Sequence, residues 1–417
     1  MNNKINNKFK YSDLIIKLPS LKPENINMDI KTIINTNINN KHEENLHNKI
    51  EKIGYDKFKG VSVLVNPYSL INLNNVDLGY LKKTIRIGYV NKCKEKKKIL
   101  TRAYYKLWEV IDHFKLLDGN YPNGFVSSNV AEGPGGFIQA VIYYRIINND
   151  KKEYLKDKVY GISLKVSGNL DFTNADKVNN KFREIYEKRY NILNISYGGD
   201  DGDLTKIKVI KNYVNQFKDK KADLFTGDGG IVANSSLDKE ILNGQLILCE
   251  AIVGLAVLKK GGHFVLKTYT LTLPFNIELL QLLSSYFEEF YITKPVTSRI
   301  FNTEKYIVGK NFKGIKEEEL EKLFKLVEIL KDIENQGKYI YSFFSNSIDK
   351  KLENQIKQFN NTHYGIRLRL FNIIDYILKN NNNTEEGKRI IQKYKKILEY
   401  TSYKWCKKMK LNFLIEE

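Results

Sequence analysis

The sequence predicts an α/β fold, a doubly wound and mostly parallel sheet of seven strands with helices on both faces. Seven short β-like runs alternate with amphipathic helical segments from residue 99 to about residue 312. Such alternation is typical of strands joined by crossover helices. The 417 residues suffice for a large core with extensions. We expect an N-terminal extension (1–95), the core (96–314) and a helical C-terminal region (315–417).

The predicted elements follow in order along the chain. The first ninety or so residues are polar and irregular, with one plausible strand at GVSVLVNPY. The run ILTRAYYKLWEVIDHFKLL, starting at Ile99, repeats apolar residues at helical spacing and predicts a helix. The seven predicted strands are FVSSNVAE, VYGISL, YNILNIS, ADLFTGD, GHFVLKTY, EEFYITKP and KYIVGKNF. After Lys313 the charged segments predict helices and no strand.

The charge balance predicts a polyanionic partner. Lys and Arg total 68 against 48 Asp and Glu, a formal net charge of +20. Nucleic acid is favoured over a membrane, because no apolar run approaches the roughly 18 residues that span a bilayer and the start MNNKINNKFK lacks a signal-peptide pattern. The cysteines, Cys93, Cys249 and Cys406, are odd in number and far apart, which favours a reducing compartment and neither a disulfide framework nor a metal site.

The stretch NVAEGPGGF places three glycines and a proline between a predicted strand and a predicted helix. Glycines let a backbone approach a ligand closely, and amides at a helix N-terminus can face that ligand. The pattern is neither the GxGxxG fingerprint nor a Walker loop, since no Gly-Lys-Ser/Thr follows, which disfavours a dinucleotide or ATP. Two interpretations remain: a loop for a nucleotide or an adenosine cofactor, or a tight turn without a ligand.

Four polar residues lie where a site in such a sheet would form. Lys106 interrupts the first core helix, Asp228 ends the strand ADLFTGD, and Glu304 opens the last strand. Taken singly, each could be a solvated or turn-forming residue. Lys267 differs because it lies inside the apolar run HFVLKTY. Burial lowers the pKa of a lysine, so we expect Lys267 to accept a proton near neutral pH.

These segments resemble the FtsJ-like RNA ribose 2′-O-methyltransferases, and within that family the cap-specific mRNA branch. The resemblance covers about half of the chain, residues 101 to 314, and is carried in order by TRAYYKL, AEGPGGF, GDGG, GGHFVLKTY and KPVTSRIFNTEKYIVGKNF. The segments YGGDDGDLT and GISLK point to the cap-directed branch. The resemblance implies a Rossmann-like methyltransferase core, S-adenosylmethionine as cofactor, and a catalytic tetrad of Lys106, Asp228, Lys267 and Glu304.

The resemblance also implies roles for the tetrad. Lys267 would take the proton from the ribose 2′-hydroxyl or orient that hydroxyl while its oxygen attacks the cofactor methyl. Asp228 and Lys106 would position Lys267, and Glu304 would hold Lys106 or the ribose. Proximity of the two bound reactants would supply much of the rate, with no metal required.

The implied cofactor contacts are Glu132, Gly133, Pro134, Gly135, Gly136, Phe137 and Asp228, with Asp201 and Asp203 as further candidates. No acidic residue follows the second predicted strand, where Lys165 stands instead. Asp201 or Asp203 would then contact the cofactor ribose or adenine, unless both belong to a solvated turn. Glu132 replaces an expected small residue and would face either the cofactor ammonium or solvent.

Basic and aromatic segments suit a path for single-stranded RNA, namely KCKEKKK, RAYYKLW and YSFF. Arg102 and Arg299 are expected to contact the substrate. The function implied is methylation of the first transcribed nucleotide of capped mRNA, with the mRNA 5′ end and other capping enzymes as partners. The alternatives are methylation of uncapped structured RNA and a catalytically silent RNA-binding subunit. A large DNA virus or a protist is a suitable source, with the cytoplasm as the location, or, for a virus, the host cytoplasm or the virion.

Overall fold

An eight-stranded mixed sheet forms the centre of the protein. The structure is a computed structural model that describes residues 14–22, 28–33, 40–71, 76–77, 99–148, 153–165, 182–231, 236–344, 347–379 and 385–413. Its strands are β1 (Ile15–Leu18), β2 (Met28–Ile33), β3 (Val76–Asp77), β4 (Val126–Val130), β5 (Lys158–Ile162), β6 (Leu193–Ser196), β7 (Ala222–Gly227), β8 (Leu258–Thr268), β9 (Phe287–Thr293), β10 (Lys305–Phe312), β11 (Tyr339–Phe344) and β12 (Asn412–Phe413).

The strand order of the main sheet is β1-β9-β10-β8-β7-β4-β5-β6. Strands β4 to β9 all run in one direction, while β10 and β1 run in the other. All seven predicted strands are present, and the α/β prediction is confirmed. The eighth strand, β1, comes from the N-terminal extension, which the sequence indicated as irregular.

Eleven α-helices are found in the part of the chain that the structure describes. They are α1 (Lys41–Ile53), α2 (Tyr55–Val65), α3 (Ala103–Phe114), α4 (Gly136–Ile147), α5 (Ile207–Asn215), α6 (Ser236–Leu242), α7 (Gly244–Val257), α8 (Pro274–Ser285), α9 (Glu317–Asn335), α10 (Lys350–Lys379) and α11 (Glu385–Lys408). None of the described helices is long and apolar enough to cross a membrane.

Helices cover both faces of the sheet, as predicted. In β7, Leu224 packs into the cluster formed with α3 and α4, whereas the next residue, Phe225, packs into the cluster formed with α5, α7, α8 and α9. Both side chains are fully buried. This two-sided burial is characteristic of parallel strands flanked by helices.

Two predictions outside the core are wrong. GVSVLVNPY, predicted as a strand, belongs largely to α2, where Phe58 and Val65 pack against Phe371 and Ile374 of α10. This tertiary contact overrides the strand preference of the valines. The region after Lys313 also contains strands: β11 pairs with β2 and β12 pairs with β3.

The two terminal regions pack against the core and against each other. Leu18 of β1, Phe343 of β11 and Leu352 of α10 belong to the same apolar cluster as the core helices. Arg367 of α10 donates two hydrogen bonds to the Glu43 carboxylate of α1, and both side chains are buried. The boundaries near residues 95 and 314 stay a prediction.

The topology gathers several chain segments at one edge of the sheet. From β4 the chain proceeds outward to β5 and β6, and then returns to β7 on the other side of β4, so the strand order switches between β4 and β7. Because β10 is antiparallel to β8, Lys305 at its start lies beside Thr268 at the end of β8. The segments after β4, β7 and β8 and before β10 therefore meet at this edge, where ligands of such sheets bind.

Candidate active site

Lys106 and Glu304 form an ion pair at this edge. The ammonium nitrogen of Lys106, on α3, lies 2.8 Å from Oε1 and 2.9 Å from Oε2 of Glu304, the residue before β10. The Ser298 hydroxyl also donates to Oε1, at 2.8 Å. Burial alone would raise the pKa of Glu304, but Lys106, Lys267 and Lys294 outweigh it and lower the pKa to about 2. Glu304 is therefore a carboxylate at neutral pH.

Lys267 and Asp228 form the second pair of the site. The Lys267 ammonium lies 3.3 Å from Asp228 Oδ1 and donates to the Asp228 carbonyl oxygen at 2.5 Å. The Tyr306 hydroxyl donates to the same Asp228 Oδ1 at 3.0 Å. Tyr306 lies opposite Lys267 in the β10–β8 register, so neighbouring strands fix both partners of Asp228.

The protonation state of Lys267 differs from the prediction. Burial does act to lower the pKa of Lys267, and the side chain is buried as expected. The negative groups around it, Asp228 first and also Glu304 and Glu250, outweigh burial and raise the pKa above its ordinary value. Lys267 is therefore an ammonium in the ligand-free protein. The prediction differed because it considered the apolar run alone and not the neighbouring charges.

Glu250 is a site residue that the sequence reasoning missed. It lies on α7, is fully buried, and its Oε1 accepts the Gly229 amide at 3.0 Å. Its Oε2 is buried without a hydrogen-bond partner. Burial, only partly offset by Lys267, raises the pKa of Glu250 to about 8. The one acidic residue within the apolar run LILCEAIVGLAVL was the signal that could have found it.

The glycine loop joins β4 to α4 and has two conformational requirements. Gly135 has φ +102°, a conformation that residues with side chains rarely adopt. A Cβ on Gly136 would overlap the Thr101 hydroxyl and lie 3.0 Å from the Cβ of Ala103, so this glycine lets α4 approach the start of α3. Gly133 is exposed at the sheet edge, Pro134 is half-buried, and Phe137 is buried beneath them.

Glu132 occupies the N-terminus of α4. Its Oε2 accepts the amides of Phe137 and Ile138 at 3.2 and 3.4 Å, an arrangement that the helix dipole favours. Its Oε1 is buried without a partner, and burial together with Asp228 raises its pKa well above the ordinary value. The alternative that Glu132 faces solvent is wrong, since the residue is 3% exposed. The sequence predicted that amides at this helix N-terminus face a ligand, but these two amides donate to the Glu132 carboxyl instead.

Asp201 and Asp203 lie in a turn that packs against the end of β5. The Lys165 amide donates to the Asp201 carbonyl oxygen at 2.6 Å, and a Cβ on Gly202 would overlap the Ser163 carbonyl. The Asp201 carboxylate accepts from the Lys206 ammonium at 2.5 Å. Asp203 Oδ1 accepts from the amide and the hydroxyl of Thr205 at 2.9 and 2.7 Å. The turn is thus at the expected edge, with both side chains engaged in local contacts.

Arg102 and Arg299 lie near each other beside the tetrad. Arg102 donates weakly to the Thr297 carbonyl oxygen, at 3.4 Å, and interacts electrostatically with both Arg299 and Glu304. Burial first, and Arg299 second, lower the pKa of Arg102. Arg299 is exposed. Two guanidinium groups therefore border the pair of Lys106 and Glu304.

The loop between β9 and β10, which carries Arg299 and Glu304, is held from two sides. Lys294 donates to Ser298 Oγ, Asn302 Oδ1 and the Glu304 carbonyl oxygen at 3.1, 2.6 and 2.7 Å. Glu109, on the helix that carries Lys106, accepts the Val296 and Thr297 amides and the Thr297 hydroxyl. Helix α3 therefore holds the loop near its start through Glu109 and at its end through Lys106, which contacts Glu304.

The aromatic residues predicted to stack on RNA bases are mostly in the core. In RAYYKLW, Tyr104, Tyr105 and Trp108 are at most 1% exposed, and in YSFF, Phe343 and Phe344 are also buried. The residues of RAYYKLW pack between α3, α4 and α11, and the two phenylalanines of YSFF pack from β11 into the core, so these side chains cannot stack on a base. The cluster KCKEKKK lies outside the described residues.

Comparisons with known proteins agree with this architecture. The family model for FtsJ-like methyltransferases matches residues 99–312. The mouse cap-specific mRNA (nucleoside-2′-O-)-methyltransferase 1 is 35% identical over 195 residues, 45% of this chain and 21% of the mouse protein. A probable methyltransferase of African swine fever virus is 33% identical over 222 residues, 51% of this chain and 49% of the viral protein.

The matches with the curated relatives cover only part of each protein. The chain spans between about a fifth and a half of the length of these curated relatives. Among solved structures, human methyltransferase-like protein 13 in complex with SAH covers 54% of this chain and 86% of its own, with 12% identity and a TM-score of 0.28, too weak a likeness to support an inference. The family match, by contrast, covers half of the chain, including all four residues of the tetrad. The protein therefore belongs to the FtsJ-like methyltransferase family.

Proposed function

We propose that the protein transfers a methyl group from S-adenosylmethionine to the ribose 2′-hydroxyl of the first transcribed nucleotide of capped mRNA. The observation that carries this proposal is the convergence at the sheet edge of Lys106, from helix α3, with Asp228, Lys267 and Glu304, which lie at or next to the ends of β7, β8 and β10. Supporting it, the mouse relative bears the name of a cap-specific mRNA 2′-O-methyltransferase.

The residues around the glycine loop fit S-adenosylmethionine. The buried Oε1 of Glu132 has no hydrogen-bond partner, and a cationic ammonium such as that of a methionine moiety would satisfy it. The backbone beside Glu132 carries no bulky side chain, because the residues there are Gly133, Pro134, Gly135 and Gly136. The turn of Asp201 and Asp203 follows β6 and packs against the end of β5, on the side suited to the adenosine. When bound, the cofactor supplies an electrophilic methyl group on a sulfonium.

The tetrad can position and activate a hydroxyl beside that methyl group. The Asp228 carboxylate and carbonyl oxygen fix the Lys267 nitrogen. As an ammonium, Lys267 orients the ribose 2′-oxygen and stabilises negative charge on it, and after losing a proton to solvent it can accept the proton of the hydroxyl. Lys106 holds Glu304 in its ionised state next to Lys267, which keeps a second acceptor available for the ribose.

Arg102 and Arg299 are the proposed contacts for the substrate phosphates. Guanidinium groups bind phosphates through paired N–H donors. Burial first, and repulsion from Arg299 second, lower the pKa of Arg102, and an anion placed between the two guanidinium groups would relieve that repulsion. Both border Glu304, so a bound phosphate would place the adjoining ribose near the tetrad.

The test is transfer of labelled methyl from S-adenosylmethionine to matched short RNAs, with and without a cap. The native protein is compared with Lys267→Ala and with Lys322→Ala, an exposed lysine of α9. We expect label on the 2′-oxygen of the cap-adjacent ribose, lost with Lys267→Ala and retained with Lys322→Ala. Equal transfer to uncapped RNA would instead support a structured-RNA enzyme. RNA and cofactor binding without transfer would support a silent capping subunit.

A further inference from the structure

The last long helix, α11, presents a row of cationic and aromatic side chains to solvent. Its members recur at spacings of three, four and seven residues, so they share one side of the helix. We call this row the α11 stripe, and it consists of Lys393, Lys396, Ile397, Tyr400, Tyr403, Lys404 and Lys407. All seven are exposed, Tyr400 by 59% and Tyr403 by 49%. Exposure of two tyrosines on one face is unusual for a helix that has a buried side available.

The opposite side of α11 anchors the helix to the core. Trp405 and Cys406 are buried, and the Trp405 ring lies 6.2 Å from that of Tyr105 on α3. The Trp108 indole of α3 donates to the Met409 carbonyl oxygen at 3.2 Å. Helix α3 also carries Lys106. The α11 stripe is therefore fixed relative to the catalytic edge and faces away from α3.

The charge of α11 is one-sided. Helix α11 contains eight Lys or Arg and three acidic residues, two of them, Glu385 and Glu386, at its first two positions, whereas α9 contains seven acidic residues and three lysines. On α10, Lys357 and Lys379 are paired with carboxylates one turn away. Within the described residues, the lysines of the α11 stripe have no carboxylate within ion-pair distance. Lys404 instead lies over the Tyr400 ring, 4.4 Å from its centroid.

We propose that the α11 stripe binds single-stranded RNA, namely the part of the substrate downstream of the methylated nucleotide. This inference rests on the proposed function for the identity of the RNA. Lysines that follow a groove or helix bind successive phosphates, and exposed tyrosines offer faces on which bases of any sequence stack. An anionic membrane fits less well, because a helix that lies in a bilayer surface needs a broad aliphatic face, and the α11 stripe has only Ile397.

The position of the α11 stripe predicts a dependence on RNA length. Because the stripe lies on the side of α11 that faces away from α3, it is separate from the tetrad, and an RNA held at the tetrad must extend beyond the site to reach it. A very short RNA would bind at the tetrad alone, while a longer one would gain the additional contacts. The contribution of the α11 stripe therefore grows with the length of the RNA.

The test is RNA affinity measured by fluorescence anisotropy for labelled capped RNAs of 4 and 25 nucleotides. One variant, Lys396→Glu with Lys404→Glu, reverses two charges of the α11 stripe, and another, Tyr400→Ala with Tyr403→Ala, removes its rings. The control, Lys322→Glu with Lys325→Glu, makes the same change in net charge on exposed positions of α9. Thermal melts check that all variants fold, and all substituted side chains are exposed.

We expect both variants of the α11 stripe to weaken binding of the 25-nucleotide RNA about tenfold or more, and to affect the 4-nucleotide RNA much less. The charge-reversal variant should also lower the slope of log affinity against log salt by about 1.4, for two lost phosphate contacts. Equal losses in the α9 control would overturn the proposal, as would unchanged binding of the long RNA. Loss of binding to phosphatidylserine vesicles with unchanged RNA binding would assign the surface to membranes instead.

These outcomes are separable from the fate of the proposed function. Affinity is measured without methyl transfer. If the native protein is inactive but the variants of the α11 stripe bind the long RNA more weakly, the inference about the stripe stands and the proposed enzymatic function is wrong. If the protein is active and the variants bind the long RNA normally, the proposed function stands and the inference is wrong.

Discussion

Lys106 and Glu304 are 198 residues apart in the sequence, yet the ammonium of one contacts both carboxylate oxygens of the other. The loop before β10 can present Glu304 to α3 only if the loop itself is fixed, and Lys294 and Glu109 provide that attachment. The ion pair thus joins the first helix of the core to its last strand. Its two partners are nearly buried, so loss of the ion pair should lower the stability of the protein as well as its activity.

The lowered pKa of Glu304 predicts an acid-dependent contribution to stability. A carboxyl whose folded-state pKa falls from 4.5 to about 2 stabilises the fold above pH 4.5 and loses this effect as pH falls toward 2. The free energy of unfolding of the native protein, relative to Glu304→Gln, should therefore drop by about 2 kcal/mol between pH 5 and pH 3. Urea denaturation at several pH values measures it. A constant difference would mean that Glu304 titrates normally.

The raised pKa of Lys267 predicts a pH-dependent rate. If the amine accepts the 2′-hydroxyl proton, only the small deprotonated fraction is active near pH 7, so log kcat/KM should climb by about one per pH unit from pH 7 to pH 9. Lys267→Met should lower kcat by 10²-fold or more. A flat profile in the native enzyme, with the same loss on substitution, would restrict Lys267 to orienting the hydroxyl.

Glu250 should weaken the fold as pH rises. Its folded-state pKa of about 8 exceeds the ordinary value, so the folded protein resists ionisation while the unfolded chain does not. Between pH 5 and pH 8 the native protein should lose roughly 3 kcal/mol of stability relative to Glu250→Gln, which keeps an acceptor for the Gly229 amide. Glu321→Gln, an exposed change on α9, is the matched control. Parallel pH profiles for the native protein and Glu250→Gln would contradict the prediction.

Replacing glycine by alanine should have opposite effects on stability at Gly136, in the glycine loop, and at Gly365, in α10. Gly136→Ala forces a methyl group against Thr101 and should destabilise the protein by about 1–3 kcal/mol and weaken S-adenosylmethionine binding. Gly365→Ala places its methyl group in open space within α10 and should stabilise by about 0.5–1 kcal/mol. Thermal melts with and without the cofactor compare them. Equal effects of the two substitutions would mean that α3 and α4 are not in close contact at Gly136.

The core was predictable because its strands are buried runs bounded by turns, and each of the seven forms. β1 was missed because IIKL is only four residues long and shows no clear alternation; the free edge of β9 makes it a strand. The position of the tetrad followed from resemblance. The charge state of Lys267 did not follow, since it depends on Asp228, Glu304 and Glu250, which come together only in the fold.

The contact between Glu43 and Arg367 has a consequence for synthesis of the chain. These partners are 324 residues apart, and at roughly 5–20 residues per second a ribosome needs about 15–65 seconds to bridge that interval. During this time α1 is already made but its buried carboxylate has no guanidinium to meet. The segment translated early is therefore among the late ones to dock, and the nascent chain exposes it to chaperones and proteases until the C-terminal helices emerge.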